Sequence, residues 1–102
     1  METYTVLALN TSHLTRDDAS LFHSITHRYP HALEHPFYGM IMTRDEGYFI
    51  KLYSERYLNE DIPEFSSALQ KIILYAHDKG HRMIEFDQDA EEYPDLFKTF
   101  DW

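Results

Sequence analysis

Histidines recur at every fourth position in the segment 23–35: His23, His27, His31 and His35. On a helix that spacing stacks side chains on one face, the arrangement by which two imidazoles grip one divalent metal ion. At 100° per residue His23 and His27 fall opposite the apolar stripe of the helix that carries them, which describes a two-histidine clip on a solvated surface. Pro30 ends that helix before His31 and His35, so the four cannot form one column. A third ligand would have to be a nearby carboxylate. No HExxH motif occurs. The same spacing also describes a plain surface that gains positive charge below about pH 6.5.

Two other stretches carry chemistry-bearing side chains. Asn10, Thr11, Ser12 and His13 follow a strand-like run and read either as a binding or catalytic corner or as a capping loop that satisfies its own backbone. Ser12 and His13 are adjacent and have no evident orienting acid, so they are not a nucleophile–base pair. The segment FDQDAEEYPDLF holds Asp87, Asp89, Glu91, Glu92 and Asp95. Counted from Asp87 as a calcium loop, it has Glu92 in place of the central glycine and Lys98 in place of the bidentate Glu. A solvated acidic loop is the simpler reading. The chain has no phosphate-binding glycine loop, no GxSxG and no basic stripe with interleaved aromatics.

The elements that must position these residues follow from periodicity. TYTVLALN is apolar on both sides, with Thr5, Leu7 and Leu9 on one and Tyr4, Val6 and Ala8 on the other, and reads as a central strand. Thr15 is placed to cap a helix with Asp18 at its third position, and Leu21, Phe22, Ile25 and Tyr29 form its core face. FYGMIMTRDEGYFIKLY reads as a hairpin turning at Asp45–Gly47, with Gly47 free to take positive φ. Its alternation sets Met40 and Met42 with Ile50 and Leu52, against Ile41, Phe49 and Lys51. After a polar linker, Pro63 suits the first turn of a second helix. Phe65, Ala68, Leu69, Ile72 and Ala76 line that helix, Leu74 points away, and Gly80 stops it. RMIEF is the last strand.

The order β-α-β-β-α-β predicts an α+β fold. Its expected form is a two-layer, ferredoxin-like split βαβ, with both helices on one face of a four-stranded, mainly antiparallel sheet and the first and last strands in the middle.

Bulk properties bound the rest. The chain has 102 residues, 43% of them hydrophobic and 16% aromatic, which fits one domain, 1–102, with its own core. It has no cysteine, which excludes disulfides, thiolate metal sites and a cysteine nucleophile. The N-terminus lacks a basic region followed by an apolar run, and no stretch reaches the ~20 apolar residues of a membrane span, so a cytoplasmic location is expected. The net charge is −9. Residues 1–53 hold six acids against four bases; residues 54–102 hold twelve against five. Such a surface repels nucleic acid and membranes and steers toward basic partners.

Three pieces, LNTSHLT, YAHDKGHRMIEFDQDAE and the closing FDW, occur in that order. Together they resemble a small acidic family of unknown function found in bacterial genomic islands, plasmids and phages. The resemblance carries no catalytic residue, and the histidine run lies outside it. It implies a mobile-element setting, where small acidic proteins disable host defences or serve as accessory factors.

The expected function is therefore a non-enzymatic interaction protein, without cofactor, that occupies the basic surface of a host protein or nucleoprotein complex in the manner of a nucleic-acid mimic, as an anti-CRISPR protein would. Its acidic face would comprise Glu60, Asp61, Glu64, Asp87, Asp89, Glu91, Glu92 and Asp95, with Tyr93, Phe97 and Trp102 as anchors. The alternatives are a small metal-binding or hydrolytic enzyme using the His13 corner or His23 and His27, and a homodimer joined through sheet edges or Leu74.

Overall fold

A computed structural model describes residues 1–27, 41–52 and 65–101; of His27 it describes the backbone alone. Strand β1 (Thr5–Leu9) leads through a 3-10 turn (Thr11–His13) into helix α1 (Arg16–His27). Strands β2 (Ile41–Arg44) and β3 (Gly47–Lys51) form a hairpin. Helix α2 (Ser67–Asp78) and strand β4 (His81–Asp87) follow. No described helix is long and apolar enough to cross a membrane.

Local chemistry sets these boundaries. The Thr15 hydroxyl accepts from the Asp18 N–H at 3.0 Å and starts α1. Ser66 caps α2, accepting from Leu69 N–H at 3.1 Å. That helix therefore begins later than Pro63 predicted, and Pro63 lies outside the described residues. Gly80, at φ +82°, ends it as expected, its N–H donating to the His77 carbonyl at 3.0 Å.

The described strands form one sheet in the order β1-β4-β3-β2, so the chain is α+β with a mixed four-stranded sheet. β1 pairs parallel with β4; β4–β3 and β3–β2 are antiparallel. The first and last strands are neighbours, as expected, but β1 is an edge and β4 is interior. That order differs from the split βαβ arrangement, and the parallel pair makes the sheet mixed rather than mainly antiparallel. Along β1, Leu9 is buried and Leu7 half-buried whereas Val6 and Ala8 are exposed, so among the described residues only one side of the strand is covered, which suits an edge position and not the expected central one.

Register sorts the two sheet faces. Ile41 opposes Ile50, Ile50 opposes Ile84, and Leu9 opposes Phe86, and all of these are buried. Met42 opposes Phe49 on the open face. Ile41, not Met42, is therefore the core residue, the reverse of the expected alternation. The hairpin turns on two residues, Asp45 and Glu46, so Arg44 pairs with Gly47 and the count shifts by one. Gly47 has no positive φ; it is needed because a Cβ there would fall onto the Phe86 carbonyl.

The core lies between the helices and one sheet face. Phe22 of α1 meets Tyr48 and Phe65 edge-on, at centroid distances of 5.3 and 6.0 Å. From α2, Leu69, Ile72, Ile73 and Ala76 are buried, and Leu74 is exposed as expected. Phe97 is buried against Tyr75, with centroids 5.1 Å apart, so it is a core residue and not an exposed anchor. Asp18 also enters this core. It lies four residues before Phe22 and seven before Ile25, on the same helical stripe.

Candidate functional site

The end of the sheet that holds the C-terminus of β1 gathers most of the polar residues singled out above. Asn10 organises it. Its carboxamide oxygen accepts from Ser12 N–H at 2.9 Å, and its NH2 donates to the carbonyls of Ala90 at 2.8 Å and Gln88 at 3.1 Å. Its backbone N–H reaches the Glu91 carbonyl at 3.1 Å. One side chain thus caps the 3-10 turn and ties it to the acidic loop that follows β4.

Ser12 and His13 complete the tie. Ser12 Oγ donates to Glu92 Oε2 at 3.0 Å, and the Ser12 carbonyl accepts from Phe100 N–H at 2.7 Å. His13 is fully buried. Its Nε2 accepts from the Tyr93 N–H at 2.9 Å, which requires the proton on Nδ1, and Nδ1 then donates to the Lys98 carbonyl at 3.0 Å. Both ring nitrogens are committed to backbone. His13 therefore holds the segment 93–98 in place and offers neither a free base nor a metal ligand; of the two readings of this corner, the capping one describes it.

An open cleft of about 500 Å³ lies beside this corner. Asn10, Thr11 and Ser12 line one part, and Phe100 and Asp101 of the C-terminal segment another. The hairpin turn supplies Asp45 and Glu46, with Arg44, Tyr48 and Gln88 nearby. Arg44 donates to Glu85 Oε2 at 2.9 Å and to Asp87 Oδ2 at 3.3 Å. It reaches Asp87 across Gly47, which stands between them in the pairing row and has no side chain.

Oxygen atoms of Glu46, Asp87 and Asp89 lie within 4.8 Å of one another. Hard oxygen ligands in that arrangement suit a divalent cation or a basic side chain, although the Arg44 guanidinium already shares Asp87.

Of the expected site residues, Asp87 is half-buried and held by Arg44, and its Oδ1 accepts from Asp89 N–H at 2.9 Å. Asp89, Glu91, Glu92, Tyr93 and Asp95 are exposed. Glu60, Asp61, Glu64 and Trp102 lie outside the described residues, as do His31, His35 and the side chain of His27. His23 is exposed on α1. The hairpin acids Asp45 and Glu46 were read from sequence only as turn residues. Their place beside Asp87 and Asp89 depends on the β3–β4 register, although two acids at the tip of a hairpin were a signal in themselves.

Residues 6–102 match the C-terminal domain of DUF5983, a family of unknown function. The chain belongs to that family. No curated protein and no solved structure matches it. The matched span takes in the whole Asn10–His13 corner, the acidic loop and the C-terminal segment that the corner holds.

Proposed function

We propose that this member of DUF5983 is a non-catalytic interaction module that presents an acidic rim to a basic surface on a partner. The carrying observation is convergence. Asp45 and Glu46 of the hairpin turn and Asp101 of the C-terminal segment line one cleft; Asp87 and Asp89 cluster with Glu46, Glu92 bonds to the lining residue Ser12, and Arg44 is the one lining cation among the described residues. A rim of one sign next to a concave surface focuses the field and speeds encounter with a basic partner. Exposed Tyr93 and Leu96 beside the rim would supply apolar contact.

The partner class that fits is a protein whose basic surface ordinarily handles nucleic acid. The sharper reading is a mobile-element inhibitor of a host defence complex, such as an anti-CRISPR protein, acting in the cytoplasm. It rests on the resemblance of LNTSHLT, FDQDAE and FDW together with the acidity of the rim.

The test is an affinity capture from bacterial lysate at low and high salt, with wild type and a D87N/D89N/E91Q/E92Q variant. A nucleic-acid-handling complex retained by wild type, released by added duplex DNA and not retained by the variant supports the reading. Retention that is indifferent to the four substitutions and to DNA refutes it.

A further inference from the structure

The cleft beside the Asn10 corner holds more negative charge than its own cation answers. Asp45 and Glu46 of the hairpin turn and Asp101 of the C-terminal segment line it, and none of the three makes an ion pair with a described residue. Arg44 is committed to Glu85 and Asp87, which lie outside the lining. Half-buried Tyr48 and Phe100 line the cleft as well. The hydroxyls of Thr11 and Tyr48 make no hydrogen bond to a described residue. Backbone bonds fix both acidic segments: Phe100 N–H donates to the Ser12 carbonyl at 2.7 Å, and Gln88 N–H donates to the Glu46 carbonyl at 3.1 Å. A ligand need not order them, so little of its binding energy is lost.

We infer that this cleft receives the guanidinium of an arginine side chain on the partner; the inference rests on the acidic docking surface proposed above and names the group that surface captures. Arg44 shows the chemistry within the same chain. Its guanidinium donates to the carboxylates of Glu85 and Asp87 at 2.9 and 3.3 Å, and its carbon lies 5.7 Å from the centre of the Phe49 ring. The cleft offers the same combination, three uncompensated carboxylates together with Phe100 and Tyr48. Its volume of about 500 Å³ falls within the roughly 300–1,000 Å³ of ordinary ligand sites, so a side chain and the backbone that carries it can enter.

The lining also selects among cations. The planar guanidinium carries five N–H donors, enough to serve carboxylates from two segments and to use the Thr11 and Tyr48 hydroxyl oxygens as further acceptors. Its flat face stacks on a ring, and it is more weakly hydrated than an ammonium, so entering the cleft costs it less. A lysine brings one compact, strongly hydrated charge. A metal ion takes carboxylates and leaves the rings unused.

Titration of the ¹⁵N-labelled protein at low ionic strength with a capped Gly–Arg–Gly peptide, and with its lysine and citrulline counterparts, reads the recognition directly. The arginine peptide is expected to give saturable amide shifts at Thr11, Gly47, Tyr48 and Phe100 with a dissociation constant of about 1 mM. The lysine peptide should bind about threefold more weakly or worse, and neutral citrulline should not bind. D45N/D101N alters two exposed side chains and should weaken arginine binding about tenfold or more. F100L keeps every charge and should erase the preference for arginine over lysine. No saturable shift up to about 20 mM peptide overturns the inference, since that is far above the expected constant. So do equal binding of arginine and lysine by wild type, shifts confined to residues 89–96, or binding indifferent to D45N/D101N. The titration needs no partner, so it is independent of the lysate capture. In that capture D45N/D101N is expected to lose the complex that wild type retains. A complex held by D45N/D101N but lost by D87N/D89N/E91Q/E92Q overturns the inference and leaves the proposed function standing.

Discussion

The Ser66 backbone N–H donates to Asp18 Oδ1 at 2.9 Å, and the Ser66 hydroxyl donates to Asp18 Oδ2. Because that hydroxyl also caps α2, one buried carboxylate links the first turns of both helices. Its negative charge lies where both helix dipoles are positive. Asp18→Ala is expected to cost about 3 kcal/mol, since it leaves a part-buried N–H unpaired and a cap misdirected. Asp18→Asn keeps one acceptor and should cost about half as much. Urea unfolding of the two variants measures both. Equal losses would mean that volume, rather than the hydrogen-bonded charge, matters at this position.

His13 makes a second long-range tie, from the 3-10 turn to Tyr93 and Lys98. His13→Ala removes two hydrogen bonds and the edge contact with Phe97, whose ring centroid is 5.8 Å away. A loss of about 3 kcal/mol is expected. The more telling readout is local. Amide exchange at Tyr93 should accelerate more than exchange in the central strand β4, because the Tyr93 N–H loses its acceptor. Uniform acceleration across the chain would show only global destabilisation and would contradict a specific latch.

Gly47 and Gly80 should respond differently to alanine. At Gly80 nothing lies within 4 Å of a new Cβ, so Gly80→Ala meets only the positive φ, a cost of about 1 kcal/mol. At Gly47 the Cβ would fall onto the Phe86 carbonyl and lie 2.8 Å from its carbon, in backbone that cannot swing aside. Gly47→Ala is expected to cost about 3 kcal/mol, through separation of β3 from β4. Thermal unfolding should rank Gly47→Ala well below Gly80→Ala; the reverse order would show that the strands are free to part there.

These glycines illustrate what the sequence exposes and what it conceals. Gly80, Thr15 and the buried faces of α1 and α2 were legible because caps and 3.6-residue periodicity are local. Gly47 was recognised as special for the wrong reason: its constraint comes from β4, forty residues further on. Met42 and Ile41 exchanged roles because a two-residue turn fixes the register, and one residue of slip inverts every side chain. β1 read as central because two apolar sides look the same whether or not a layer covers them. The Asn10–His13 corner was legible as a capping loop, whereas what it caps, the acidic loop after β4, was not. Asp18 shows the converse. Its place on the Phe22–Ile25 stripe was in plain view, but a charged residue in a first helical turn invites the dipole explanation and hides the burial.

Arg44 tests the electrostatics of the rim without touching its acids. Its guanidinium sits 2.9 Å from Glu85 and 3.3 Å from Asp87, with side chains 20–36% exposed, so solvent already screens the pairs. Arg44→Gln leaves Glu85 and Asp87 uncompensated beside Glu46 and Asp89. At low ionic strength the expected loss is about 1 kcal/mol, most of which should vanish in about 1 M salt as the Debye length shrinks to about 3 Å. The same variant should gain more stability than wild type from millimolar calcium, because the oxygens that shared the arginine become available to a cation. Chemical unfolding in low salt, high salt and calcium separates the possibilities. A loss that persists unchanged in high salt would assign Arg44 to packing over the Phe49 ring, 5.7 Å from its guanidinium carbon, and would remove it from the account of the acidic rim.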